Sequence, residues 1–137
     1  MSDAIQELAQ AIQNKRPAIF ATSVDVKGAS PAKVGAQLVI LPEGETAGTV
    51  GGGKLEAEII KIARQVLETK TPGLHHLALR EEGPNAIGTL CGGEVTVFVQ
   101  AYFPRPQLVI VGGGHIGRPL KVMGEAAGFD ALIVDVA

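Results

Sequence analysis

The chain has a single cysteine, Cys91, no tryptophan and only one tyrosine. A lone thiol excludes an internal disulfide and fits a reducing compartment. With so few aromatic residues, the core has to be built from Val, Ile, Leu and Ala. The formal charge of −2 comes with no basic block, which excludes an electrostatic footprint for nucleic acid or for anionic lipid. No apolar run approaches the length of a bilayer span. The opening stretch MSDAIQELAQ carries an early acid and regularly spaced polar residues, unlike a signal peptide. These absences point to a soluble, cytoplasmic protein. Two kinds of chemistry also lack their signatures: there is no G-x-S-x-G elbow, and no His/Cys/carboxylate spacing resembles a zinc site.

What the chain does have is glycine, 18 residues in 137, gathered in GTVGGGKLE (48–56), GTLCGGE (88–94) and VGGGHIG (111–117). Such clusters mark places where backbone turns tightly or approaches a ligand closely. Around them the hydrophobic pattern predicts ordinary elements. Ser2 is placed to cap a first helix whose face is Ile5, Leu8, Ala9 and Ile12. Strands are expected in RPAIFATSVDV, QLVIL, TAGTV, LHHLALR and EVTVFVQAY. A helix after Gly53 has Leu55, Ile59, Ile62 and Val66 on one face and is stopped by Thr71-Pro72-Gly73. FPRPQ (103–107) reads as a linker, dividing the chain into 1–103 and 104–137. Beyond it, LVIV, a helix with Ile116, Leu120, Met123 and Ala127 on one face, and ALIVDVA form a strand–helix–strand unit. Gly128 stands at the C-terminal cap of that helix.

Gly112, Gly114 and Gly117 satisfy G-x-G-x-x-G after a strand and at the start of a helix. In that context the first glycine permits the turn, the second a close approach to pyrophosphate, and the third tight helix–strand contact. Pro119 must then fall within the first helical turn. Asp135 stands about 18 residues beyond Gly117, where an acid can bond a ribose. His115 lies inside the loop. Two readings stay open for this unit, a glycine-mediated structural turn and an NAD(P)-binding oxidoreductase fragment. The triglycine Gly51–Gly53 likewise reads either as a tight turn or as an anion site assisted by Lys54. Cys91, beside Gly92 and Gly93, reads equally as a buried apolar side chain or as an accessible thiol tuned by Lys33, Lys54 or a histidine. His75 and His76, adjacent on a strand, point to opposite faces and cannot share a metal there.

The stretches GASPAKVGAQLVI (28–40), GTVGGGKLEAEI (48–59), LCGGEVTVFVQ (90–100) and LVIVGGGHIG with LIVDV together resemble the XdhC/CoxI family of xanthine dehydrogenase accessory proteins. The resemblance implies an α/β fold, an N-terminal α+β domain followed by the first strand–helix–strand of a Rossmann-like parallel sheet. It implies a chaperone of the molybdenum cofactor (molybdopterin) rather than a catalyst. The cofactor is bound, protected and sulfurated, then delivered to a molybdenum hydroxylase such as xanthine dehydrogenase, with a cysteine desulfurase as sulfur source. By position, Ser30, Pro31, Gly51, Gly52, Gly53, Cys91, Gly92 and Gly93 match its cofactor-handling motifs, with Cys91 a candidate sulfur carrier or metal contact. Two positions depart from the family pattern: Ala32 stands where Arg is usual, and Lys54 where many members have Cys. An open sheet edge in the second unit needs cover, so a homodimer or a heteromer is expected.

Overall fold

The structure, a computed structural model, describes residues 3–136. It divides into two compact units between Phe103 and Pro104. Its mixed helix-and-strand architecture is the one expected from the sequence.

The first unit runs α1 (Ala4–Gln13), β1 (Ala18–Lys27), β2 (Gln37–Ile40), β3 (Thr46–Thr49), α2 (Gly53–Thr69), β4 (Gly73–Ala78) and β5 (Glu94–Tyr102). The strands form one antiparallel sheet in the order β3-β2-β1-β5-β4. Alternation along the strands divides the apolar residues between two faces. Ile19, Ala21, Leu38, Ile40, Val95, Val97 and Val99 face α2, which contributes Leu55, Ile59, Ala63 and Val66. On the other face, Ala18, Val39 and Leu41 meet Ala4 and Ala11 of α1. Each fully buried Leu or Ile in these layers contributes about 2 kcal/mol of transfer free energy.

Strict alternation from Ile19 through Ala21 and Ser23 would carry Asp25 into the core. A register shift between Ser23 and Asp25 prevents this. The extra residue, Val24, is left exposed, Asp25 pairs with Thr96 outside, and Val26 returns to the core side opposite Val95. Bulges serve this purpose wherever a strand must change which residues it buries.

Two local expectations are corrected. The cap of α1 is Asp3, whose carboxylate accepts from the Ile5 N–H at 3.2 Å; Ser2 lies outside the described residues. The buried face of α1 is Ala4 and Ala11 with Leu8 half-buried, while Ile5, Ala9 and Ile12 are exposed. Small side chains let the helix approach the sheet closely, and that contact outweighs the larger residues one position away. α2 ends just ahead of its expected stop at Thr71-Pro72-Gly73: Lys70 caps it in the left-handed conformation (φ 56°), its N–H bonded to the Val66 carbonyl. Its ammonium also lies 5.3 Å from the Phe103 ring centroid, a cation–π contact.

The second unit is β6 (Gln107–Val111), α3 (Gly117–Ala126) and β7 (Asp130–Val134), with β6 and β7 parallel. Pro119 lies in the first turn of α3, and Gly128 follows its cap with φ 95°. The expected face of α3 is corrected too. Ile116, Leu120, Met123 and Ala127 are exposed, and the helix meets the strands through Gly117 and Gly124 instead. A Cβ on Gly124 would lie 2.6 Å from Leu108 Cδ2, so the closest contact selects glycine over apolar bulk. The cross-strand pairs Val109–Leu132 and Val111–Val134 are exposed.

Candidate functional site

Three of the sequence motifs meet at one end of the first unit. The chain between β4 and β5 doubles back along residues 78–80. The N–H groups of Gly88 and Thr89 donate to the Arg80 carbonyl, and the Gly92 N–H donates to the Leu79 carbonyl at 2.6 Å. The Leu79 N–H in turn donates to the Gly93 carbonyl at 2.8 Å. With residues 89 and 92 both tied down, Leu90 and Cys91 form the projecting tip. Leu90 is 84% exposed, and Cys91 is a free, exposed thiol. Of its two readings, the accessible thiol is the one the fold adopts.

The GASPA loop closes onto this tip. A Cβ on Gly93 would collide with the Ala29 carbonyl, and one on Gly28 would lie 3.3 Å from the Gly93 Cα. The same loop touches the triglycine turn, where a Cβ on Gly51 would stand 3.1 Å from the Ala32 nitrogen and 3.2 Å from Pro31. Ser30 shapes the loop by accepting the Ala32 N–H on its Oγ at 3.0 Å. Lys54, the first charged residue after the triglycine, reaches across to donate from Nζ to the Gly88 carbonyl at 2.5 Å. Ser30–Pro31, Gly51 and Gly93 are thus brought together, and Lys54 bridges the second and third motifs.

Ala32 is 4% exposed and belongs to the core cluster with Val50 and Leu55. Lys33 beside it is exposed. Gly52, Gly53 and Gly92 all have positive φ, and nothing lies within 4 Å of where their Cβ atoms would be. They present bare backbone to open space. Thr89 Oγ1, two residues before Cys91, is buried without a hydrogen-bond partner. A free thiol and unobstructed glycine backbone are thus exposed at this end of the unit.

Sequence reasoning missed the part played by Glu56. It was legible only as an acid in the first helical turn, suited to the dipole. In the structure its Oε1 accepts from the Val50 N–H at 3.2 Å, the Gly52 N–H at 3.0 Å and Thr49 Oγ1 at 2.5 Å. Thr49 Oγ1 also accepts the Gly51 N–H at 3.1 Å. Glu58, two residues on, instead pairs with Lys61 at 2.6 Å.

His76 of β4 lines a cavity with Lys27, Arg80 and Glu94. His76 Nδ1 is 2.9 Å from Thr96 Oγ1 on the adjacent strand. Among the described residues no three His, Cys, Asp or Glu side chains gather as a metal-ligand group. No described helix is long and apolar enough to cross a membrane.

In the second unit, Gly112 has φ 105°, nothing lies near a Cβ on Gly114, and a Cβ on Gly117 would collide with the Gly112 carbonyl. The three glycines therefore serve as turn, open approach and tight contact. Asp135, just past the end of β7, accepts the Gly113 N–H on Oδ2 at 3.2 Å, and Arg118 Nε donates to the Gly113 carbonyl at 2.9 Å. His115 is exposed beside an open groove along Leu108, Ile110 and Leu120.

Comparison with known proteins bears on both units. The profile of the XdhC and CoxI family matches residues 11–79, half of the chain, covering the GASPA and triglycine motifs. The uncharacterized protein YqeB of Escherichia coli (strain K12) is 33% identical over 130 residues, which is 95% of this chain and 24% of that protein. The chain thus spans about a quarter of the curated relative it matches. A solved structure described as a xanthine dehydrogenase from Bacillus halodurans superposes with a TM-score of 0.58 at 17% identity. It covers 96% of this chain and 62% of its own, a likeness of fold.

Proposed function

This chain belongs to the XdhC and CoxI family, and we propose that it serves the xanthine dehydrogenase system as an accessory protein. Its cargo is the molybdenum–pterin cofactor, which it binds, protects during sulfuration and hands to a molybdenum hydroxylase. The observation that carries this reading is the convergence of Ser30–Pro31, Gly51 and Gly93 behind an exposed Cys91. A soft thiolate suits a dithiolene-bound metal. The projecting tip is also where a thiol must sit to accept sulfur from a cysteine desulfurase. The bare backbone of Gly52, Gly53 and Gly92 lets a flat, polar ligand approach without side-chain obstruction, and Lys33 supplies an exposed cation for its phosphate.

A second reading, NAD(P) binding in the second unit, is favoured by the division of roles among Gly112, Gly114 and Gly117. Against it, the Asp135 carboxylate that would take a ribose is engaged by the Gly113 N–H.

Reconstitution of a cofactor-free xanthine dehydrogenase-type hydroxylase tests the leading reading. With limiting sulfurated cofactor, adding the chain should raise the fraction of active hydroxylase, and a Cys91→Ala chain should not. Equal activation with and without the chain would defeat it.

A further inference from the structure

We propose that Glu56 is the positioning residue of the Cys91 site, acting as a built-in acceptor that sets the triglycine turn and, through it, the loop carrying the thiol. The inference deepens the cofactor reading and rests on it for its biological meaning; its geometry and its test do not involve cofactor.

Three consecutive donors of the turn are spent within the chain. Val50 and Gly52 give their N–H groups to Glu56 Oε1, and Gly51 gives its own to Thr49 Oγ1, which is bonded to the same oxygen. One carboxylate thus organises three consecutive residues, two of them with backbone that L side chains rarely adopt, φ being 125° at Gly51 and 75° at Gly52. A phosphate arriving at these three N–H groups has to compete with Glu56 and Thr49. What the turn offers instead is placement. Gly51 rests against Pro31 and Ala32, the loop holding those residues rests against Gly93, and Lys54 at the start of α2 holds the Gly88 carbonyl. Both routes lead from Glu56 to the ends of the 88–93 segment whose tip is Cys91. Charge-assisted bonds to backbone N–H groups are stronger than neutral ones, so this acceptor is the part of the relay whose removal has most effect.

The test compares wild type, Glu56→Ala and Glu56→Gln by amide hydrogen exchange and by the rate of Cys91 alkylation with iodoacetamide. In Glu56→Ala, exchange at Val50 and Gly52 should accelerate by about tenfold or more, the loss expected for a charge-assisted hydrogen bond. The Gly92 and Gly93 amide resonances should shift, and the alkylation rate should change. Glu56→Gln keeps an acceptor oxygen and should stay close to wild type. Excess acetate should restore Glu56→Ala by filling the vacated position and leave wild type unaffected, a response that lost packing alone would not give. Unchanged exchange and alkylation in Glu56→Ala would overturn the proposal, as would a defect that neither Gln nor acetate repairs. If Glu56→Ala does not fold, Thr49→Val supplies the same readouts: a shift at Gly51 carried to Gly93 supports the relay, and a shift confined to Gly51 overturns it. Because no cofactor is present, failure here would leave the chaperone reading standing.

Discussion

The Cα of Gly93 lies so close to the carbonyl of Ala29 that no Cβ fits between them. That contact joins the GASPA loop to the segment carrying Cys91 and explains a glycine where φ is unremarkable. Gly92 beside it differs: its φ is 81° and the space around it is open. Gly93→Ala should therefore cost about 3 kcal/mol of folding stability through overpacking against backbone. Gly92→Ala should cost only about 1 kcal/mol, through conformational strain. Urea unfolding of the two variants checks the order, and equal losses would contradict the assignment.

In the second unit the same comparison separates scaffold from ligand approach. Gly117→Ala drives a Cβ into the Gly112 carbonyl, whereas Gly114→Ala meets nothing. The first should lower the stability of the unit by about 3 kcal/mol, the second by well under 1 kcal/mol. If the loop binds NAD(H), Gly114→Ala should weaken binding while leaving the fold intact. Calorimetric titration of both variants, with circular dichroism as the control for folding, reads this directly.

A surface cluster gives a pH-dependent prediction. Arg16, between α1 and β1, bonds Glu43 at 2.6 Å and Glu45 at 3.2 Å in the turn joining β2 and β3. The hydrogen bond and charge of Arg16 hold the Glu43 carboxyl below its ordinary value. A carboxylate depressed in the folded state stabilises above its unfolded pKa, and that contribution is lost as pH falls through the folded pKa. Glu43→Gln should thus unfold slightly more readily than wild type near neutral pH, with the gap closing below the usual carboxylate range. The pair is exposed, so the gap should be small and should shrink in salt.

How much of this was readable in the sequence depends on whether local pattern or tertiary contact decided each feature. Val95, Val97 and Val99 alternate with more polar residues, and that pattern alone places β5 with one face in the core. The helix after Gly53 was equally legible, because Leu55, Ile59 and Val66 repeat at helical spacing over a long span. In α1 and α3, close packing on the strands favoured Ala4, Ala11, Gly117 and Gly124 over larger neighbours, and a count of apolar residues ranks those last. The bulge at Val24 has no local signature beyond an Asp that alternation would bury. The C-G-G and triglycine motifs could be singled out one at a time, but their meeting depends on strand order, which brings residue 29 beside residue 93. Glu56 was visible as an acid near a helix start; its hold on Val50 and Gly52 follows only from the path of the turn.

The central claim is that Cys91 lies at the cofactor site, and binding of isolated molybdenum cofactor to wild type and Cys91→Ala tests it most directly. Because the thiol is exposed, the substitution should change folding stability by less than about 0.5 kcal/mol, so any loss of binding reports on the site. The account predicts measurable binding by wild type that weakens at least tenfold in Cys91→Ala. Equal affinity for the two proteins, or no binding by either, would contradict it.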